Sequence, residues 1–491
     1  MRIPLDRHSQ VPLYQQIKAH LRQGILSGSL LPGTRLPASR RLAHDLGVNR
    51  ITVETAYSDL EADGLVFSRV GSGTYVSLSP PLPAQPLPQL ESAWPLWQRH
   101  VQVESVEAKA AERDQQADRL PSRPMIEFAS GSSAPHLFPA DEFRKVLQAV
   151  MRRDGIEALE YGESQGYAPL RVTIARVLAS QGLQARPENI LITAGSQQAL
   201  SLVSQLLLKP GDTILLESPT YGGALELFRA LHFTVVGVPV DKQGMQVEHL
   251  ERLLQQHHPK LIYTIPNFHN PTGACLANSR RRELLILADR YNVPVLEDDF
   301  VGDLRYDGRA QPSLKALDPG GRVIYVNTFS KMLMPGLRVG YLFIEGPIYD
   351  SLVHFKRVND LTTSTLIQRA LEAYVTVGRY QAHLRRSCQV FRKRRDAMVS
   401  ALEQYLPAGV QFEPPQGGLF VWVRFPEEVS TDDLLPWAYE EGVSFVPGSR
   451  FFTQGSEGRN WMRLNFVVHA PDEIEEGVKR LAKALHRFLA R

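Results

Sequence analysis

The stretch "NTFSKMLMPGLRVGY", residues 327 to 341, sets a lysine in a small polar turn between two apolar runs and follows it, seven places later, with an arginine. An ammonium group is easier to hold on a solvated surface than inside, so Lys331 needs a reason to sit there. The run that leads into the turn, "RVIYVNTF", is short and continuously apolar. Four more like it come earlier in the chain: "NILITAG", "DTILLES", "KLIYTIP" and "VPVLEDDF". Such runs are expected of parallel strands covered on both faces, and helical stretches separate several of them. One of these, "SQQALSLVSQLLLKPG", carries Ala199, Leu202, Val203 and Leu206 on one side. From Met125 onward the expectation is a large α/β domain, a mostly parallel sheet with helices on both faces. Ligands of such sheets gather at the carboxyl ends of the strands.

A chain of 491 residues is too long for one ordinary core. With 43% hydrophobic and 22% charged residues it has a globular composition. Cys275 and Cys388 lie far apart and match no metal-ligand spacing, so a reducing compartment, no disulfide framework and no metal are expected. No apolar run approaches the roughly 20 residues that cross a bilayer, and "MRIPLDRHSQ" lacks the apolar stretch of a signal peptide. The expectation is a cytoplasmic protein without a membrane partner. Net charge is +3, and residues 1 to 78 hold the whole surplus, with nine Lys/Arg against six Asp/Glu. A nucleic-acid-binding module at the N-terminus would place it there.

Periodicity in that segment supports such a module. Leu13, Ile17, Leu21 and Ile25 recur every fourth position behind Pro12, which suits a first helical turn. After "LLPGTRLP", Ser39 is expected to cap a short helix carrying Leu42, Ala43 and Leu46 and stopped by Gly47. Asn49 is expected to cap a third helix with the stripe Val53, Tyr57, Leu60, ended by Gly64. "LVFSRV" and "GTYVS" then flank a turn at Gly71, Ser72 and Gly73 as a hairpin. Three helices and a hairpin describe a winged helix-turn-helix, whose third helix enters the major groove of double-stranded DNA. Asn49, Arg50 and Thr52 project from its leading end, Arg40 and Arg41 reach phosphates, and the Gly71 turn is the tip of the wing. From Ser79 the run "SPPLPAQPLPQL" is proline-rich and extended. The expected division is therefore 1–78 for DNA binding, 79–124 for a linker with Trp94, Trp97 and a possible charged helix near 103–119, and 125–491 for the rest.

Each expected strand end in the large domain offers one group. Gly195, Ser196 and Gln197 open a helix, where free N–H groups and the dipole favour a phosphate. Asn270 is held in a turn by Pro271. "EDD" places carboxylates at the end of a buried strand, which implies a cationic partner. Pyridoxal phosphate matches the whole set. Its aldehyde takes a lysine amine as a Schiff base, its pyridinium nitrogen a carboxylate, its phenolic oxygen a donor, and its phosphate cations and N–H groups. Arg338 can grip that phosphate in bidentate fashion, with hydroxyls from Thr328 and Ser330. Read from the residues alone, Asp298 and Asp299 are both open as the ring partner, and His136 and His269 read as plain loop histidines.

The ordered set "TAGSQQAL", "ESPTYGG", "HNPTG", "EDD", "TFSK…PGLRVGY", "PQGGLFVWV" and "MRLNF" resembles the fold-type I aminotransferases over residues 125 to 491. Residues 10 to 78 resemble the GntR winged-helix family, and the two together resemble the MocR-type regulators. The resemblance implies an aminotransferase-like domain with a smaller α+β subdomain. It implies an internal aldimine on Lys331, Asp298 on the ring nitrogen, Asn270 on the ring oxygen and Tyr221 stacked on the ring. Ser196, Gln197, Thr328, Ser330 and Arg338 form the phosphate cup, and Arg463 holds an effector carboxylate, as its planar fork suits. Tyr161 reaches the cofactor of the other subunit of a homodimer. One departure stands out: the family has a tyrosine shortly after the aspartate, and here Phe300 and Val301 occupy that region.

The function expected is a transcriptional regulator that binds pyridoxal phosphate, senses a small amine, an amino acid or the cofactor itself, and sits as a dimer on repeated DNA half-sites. The alternatives are an active aminotransferase with a DNA-binding appendage, in which a residual half-reaction would persist, and a DNA-binding protein whose large domain is a cofactor-free scaffold. Loops such as 130 to 137 are expected to choose among amine ligands.

Overall fold

The computed structural model describes residues 3–7, 9, 11–69, 72–77 and 124–490. Gly71, the linker residues 79–123, Trp94, Trp97 and the expected helix near 103–119 lie outside the described residues. The chain divides into two compact units, Met1–Gln102 and Val103–Arg491.

In the first unit α1 (Leu13–Leu26) buries Ile17, Leu21 and Ile25, the four-residue stripe of its sequence. Pro12 stands at the N-cap with extended backbone rather than inside the first turn. α2 (Ser39–Leu46) ends at Gly47, whose φ of 64° is the left-handed conformation that glycine adopts without a Cβ clash. Ser39 does not cap it. Ala38 occupies the cap position, and the Ser39 hydroxyl donates instead to Glu54 Oε1 at 3.1 Å. A carboxylate is the stronger acceptor, and it comes from the neighbouring helix, which local sequence does not display. α3 (Arg50–Ala62) is capped as expected: Asn49 Oδ1 accepts from the Ile51 N–H at 3.0 Å. Val53, Ala56, Tyr57 and Leu60 are buried beneath it. β1 (Val66–Arg69) and β2 (Gly73–Val76) pair antiparallel from Val66↔Val76 to Arg69↔Gly73, completing the winged helix.

The second unit begins with β3 (Ile126–Glu127) and is built on an eight-stranded sheet. Its strands are β4 (Ile190–Thr193), β5 (Thr213–Ser218), β6 (Thr234–Asp241), β7 (Gly244–Met245), β8 (Leu261–Thr264), β9 (Val295–Asp298), β10 (Val323–Thr328) and β11 (Gly340–Phe343). They lie in the order β4-β11-β10-β9-β8-β5-β6-β7. The five apolar runs are β4, β5, β8, β9 and β10, each buried along most of its length. Neighbours from β10 through β6 are parallel. β11 runs antiparallel to both of its neighbours. Only residues 329–339 join it to β10, too few for the helical crossover that a parallel neighbour needs. That turn carries Lys331 and Arg338.

A smaller α+β part follows, with β12 (Gln411–Phe412), β13 (Phe420–Arg424), β15 (Val446–Pro447) and β16 (Trp461–Asn465) in the order β12-β13-β16-β15, all antiparallel. β14 (Val443–Ser444) pairs in parallel with β3. No helix of the described residues is long and apolar enough to cross a membrane.

Candidate functional site

Strand register gathers the site. Thr193, Gly340 and Thr328 are partners across β4, β11 and β10, so the turns that leave these strands lie side by side. The first turn reaches Gly195, the N-cap of helix Ser196–Leu207, at φ 111°. A Cβ at 195 would stand 2.9 Å from Arg338 Nη2, so glycine is needed both for the backbone and for the arginine's approach. The Arg338 guanidinium is exposed above that helix start. On β10 the Thr328 hydroxyl donates to Ser330 Oγ at 3.0 Å, and both residues are buried. Gln197 Nε2 donates to the Gly223 carbonyl at 2.9 Å, and the Tyr221 hydroxyl lies 3.4 Å from Gln197 Oε1, which ties the turn after β5 to the same helix.

Asp298 closes β9 and is 2% exposed. Its Oδ2 accepts from the Tyr263 hydroxyl at 3.0 Å, whereas its buried Oδ1 has no partner among the described residues. Burial pushes its pKa up to about 7, against the pull of Tyr263 and the Lys331 amine. Asp299 differs: its two oxygens accept from Asn267 Nδ2 at 2.9 Å and the Tyr325 hydroxyl at 2.8 Å. Of the two acids left open by the sequence, only Asp298 has a spare oxygen.

Lys331 is half-buried, and its amine is brought down to about 8, first by burial, then by the positive charges of Arg463 and Arg338, while Asp298 opposes them. Arg463, on β16, is 7% exposed. It donates to Asn270 Oδ1 at 3.1 Å and to the Ala129 carbonyl at 2.9 Å, and its Nε has no partner. The guanidinium lies 4.1 Å over the Phe420 ring and 5.2 Å from that of Phe451. Burial lowers its pKa to about 9, and no carboxylate faces it among the described residues. The loop opposite is held by the Asn465 amide, which donates to the carbonyls of Ser130 and Ser132 at 2.8 and 3.0 Å. Between them a Cβ on Gly131 would reach 4.0 Å from the Lys331 amine, so the 130–137 loop does border the lysine.

The structure therefore brings together Ser196, Gln197, Tyr221, Asn270, Asp298, Thr328, Ser330, Lys331, Arg338 and Arg463. Tyr161 is 85% exposed. Phe300 is buried and apolar. Three groups were missed by sequence reasoning. Tyr263 serves Asp298 from the neighbouring strand. His269 is not a plain loop histidine: it is 1% exposed, with Nε2 3.3 Å from Glu217 Oε2 and Nδ1 2.9 Å from Thr272 Oγ1. Glu217, the last residue but one of β5, also accepts from Thr264 Oγ1 and the Ile265 N–H, both at 2.8 Å. The available signal was position, because Glu217 lies near the end of β5 and His269 lies beside Asn270 in the turn after β8. His136 lies 3.3 Å from Arg394. In the first unit Arg40, Arg41, Asn49 and Arg50 are exposed and Thr52 is half-buried. Arg50 is not free, since its Nε donates to Glu54 Oε1 at 2.7 Å.

Two protein families match the chain. The bacterial regulatory proteins of the gntR family match residues 13–76, and the class I and II aminotransferases match residues 125–481. The HTH-type transcriptional regulator TauR of Rhodobacter capsulatus is 35% identical over 501 residues, covering 99% of this chain and 100% of that protein. The probable rhizopine catabolism regulatory protein MocR of Rhizobium meliloti is 31% identical over 490 residues, covering 99% and 96%. Among solved structures, Pyrococcus horikoshii kynurenine aminotransferase, in complex with PMP, superposes with a TM-score of 0.75 at 36% identity, covering 82% of this chain and 99% of that one.

Proposed function

Because the chain belongs to the class I and II aminotransferases and to the GntR-family regulators, the make-up of MocR-type transcriptional regulators, we propose that it senses an amine. The sensed molecule is a small amine or amino acid, or the cofactor itself, and the readout is a change in DNA binding. GntR-family regulators bind DNA, and the aminotransferases of this class depend on pyridoxal phosphate.

The residues present fit that cofactor. Asp298 has a buried carboxylate oxygen without a donor, suited to a pyridinium N–H. Asn270 gives its oxygen to Arg463 and keeps its Nδ2 donor for the phenolic oxygen. Gly195 leaves room for Arg338 beside the start of a twelve-residue helix, and Ser196, Gln197, Thr328 and Ser330 add donors for a phosphate. Tyr221 would pack on the ring. When bound, pyridoxal phosphate supplies an aldehyde that condenses with amines and a ring that withdraws electrons from them.

The observation that carries the sensing reading is Arg463. A buried guanidinium without a carboxylate is an uncompensated charge, and an effector carboxylate would complete it. The two cations nearest Lys331 also keep its amine easier to deprotonate, which readies it to accept and release the aldehyde. Tyr161, exposed at 85%, suits a reach into the partner subunit of a homodimer, which would set two winged helices on repeated half-sites. Such a regulator works in the cytoplasm. An effector changes DNA binding only by favouring one domain arrangement over another.

The test is a titration of the cofactor-loaded protein with amines, followed by the visible band. In Arg463→Gln, amino acids lose their response while amines without a carboxylate keep theirs. An unchanged response to amino acids would overturn the assignment. The second reading, an active aminotransferase, is favoured by the near-complete set of groups around Lys331. Sustained turnover with an amino donor and a keto acid, at ordinary enzyme rates, would establish it.

A further inference from the structure

Asp299 sits one residue beyond the acid with the spare oxygen, yet it faces a different set of partners. Its carboxylate lies between two turns of the site. On one side Asn267 Nδ2 donates to Oδ1 at 2.9 Å, and Asn267 in turn accepts from Arg281 Nη2 at 2.8 Å. Asn267 opens the turn that presents Asn270. On the other side the Tyr325 hydroxyl donates to Oδ2 at 2.8 Å while accepting from Asn327 Nδ2 at 2.9 Å. Asn327 Oδ1 takes the Thr328 N–H at 2.6 Å, and Thr328 donates to Ser330. The chain of hydrogen bonds thus runs from Arg281, fully buried, to the residues beside Lys331.

From Arg281 on one side and from the Thr328 N–H on the other, each bond is donated toward the carboxylate, while the Thr328 hydroxyl donates outward to Ser330. Asp299 is 8% exposed and accepts on both oxygens at the centre of this chain. An amide in its place would present a donor to one of two donors, and one arm would have to open. The site is also shaped around this group. A Cβ on Gly302 would lie 2.3 Å from Asp299 Oδ1 and 2.6 Å from Oδ2, so glycine there is required by the carboxylate's approach.

We infer that Asp299 is a positioning residue that ties the Asn270 turn to the Thr328–Ser330 turn and thereby sets the phosphate end of the site. It acts through Tyr325 and Asn327, not by touching the cofactor. The inference rests on the reading of this cluster as a pyridoxal phosphate site.

The two vitamers separate this role from a general one. Affinities of the full chain for pyridoxal phosphate and for pyridoxal, which lacks the phosphate, are measured in the wild type, Asp299→Asn and Asp298→Asn, with thermal unfolding as the folding control. Asp299→Asn is expected to weaken pyridoxal phosphate about tenfold, the scale of lost charge-assisted hydrogen bonds, while changing pyridoxal by less than about twofold. Asp298→Asn is expected to weaken both alike, because it acts on the ring. Should Asp299→Asn fail to fold, Tyr325→Phe opens one arm alone and is expected to lower the same ratio by a smaller factor. Equal losses for both vitamers, or a ratio unchanged from wild type, would overturn the inference while leaving the cofactor reading intact. A wild type with no preference for the phosphorylated form would overturn both.

Discussion

Lys331 supplies a prediction with a calculable size. A lysine with an ordinary pKa of 10.5 is about 0.03% neutral at pH 7, and one brought down to about 8 is about 10% neutral, a gain of roughly 300-fold in the form that attacks an aldehyde. The sign follows from the charge type: burial and neighbouring cations disfavour the ammonium, so the neutral amine persists to lower pH. The assay is stopped-flow mixing of cofactor-free protein with pyridoxal phosphate over a series of pH values, following the visible band. The capture rate should rise with pH, reach half its maximum near 8 and level off about one unit above. In Arg463→Gln the levelling point should move to higher pH, yet stay below the free-lysine value because burial, the largest cause, remains. A wild-type rate that still climbs nearly tenfold per pH unit between 8 and 10, as for an ordinary lysine, would refute the argument. A variant indistinguishable from wild type would remove Arg463 from the lysine's surroundings.

Other consequences concern the two ends of the chain's function. Arg50→Ala should weaken operator binding by about 1 to 3 kcal/mol, as for a base-edge contact, and unchanged affinity in a fluorescence anisotropy titration would refute that role. Its neighbour matters as well: Glu54→Gln replaces the carboxylate 2.7 Å from Arg50 Nε with a neutral amide and weakens that pair, so DNA binding should tighten if release of the pair limits contact. Asn49→Ala should cost the first unit about 1 kcal/mol by removing the cap on the Ile51 N–H, read by denaturant unfolding. Gly195→Ala should reduce affinity for pyridoxal phosphate, since its Cβ would displace Arg338 and the φ of 111° would be strained. An Ala variant that binds the cofactor as the wild type does would show that Arg338 has another place to go.

The parts of the fold readable from sequence were those with local causes. Apolar runs announced β4, β5, β8, β9 and β10, the four-residue stripe announced α1, and Asn49 announced its cap. The turn of residues 329–339 was readable as a polar break with a lysine, and its shortness also dictates the antiparallel β11. What stayed hidden depends on partners far apart in the chain. Glu217 and His269 meet only because β5 and β8 are neighbours in the sheet. Ser39 abandons its cap for a carboxylate on another helix. Asp298 and Asp299 look alike in "EDD" and are told apart only by what their oxygens touch: one retains a spare oxygen, the other is engaged on both sides. Alternation along a strand end sends successive side chains to opposite faces, which is why adjacent acids meet different surroundings.

The claim at the centre is that an amine ligand at Lys331 and Arg463 alters DNA binding by the winged helix. It is tested most directly by the affinity of the cofactor-loaded chain for a duplex from the region beside its own gene, with and without a panel of amino acids. The account predicts that at least one carboxylate-bearing amine shifts that affinity in the wild type and fails to do so in Arg463→Gln. Identical affinities with and without every amine, in a protein shown to carry the cofactor on Lys331, would contradict it.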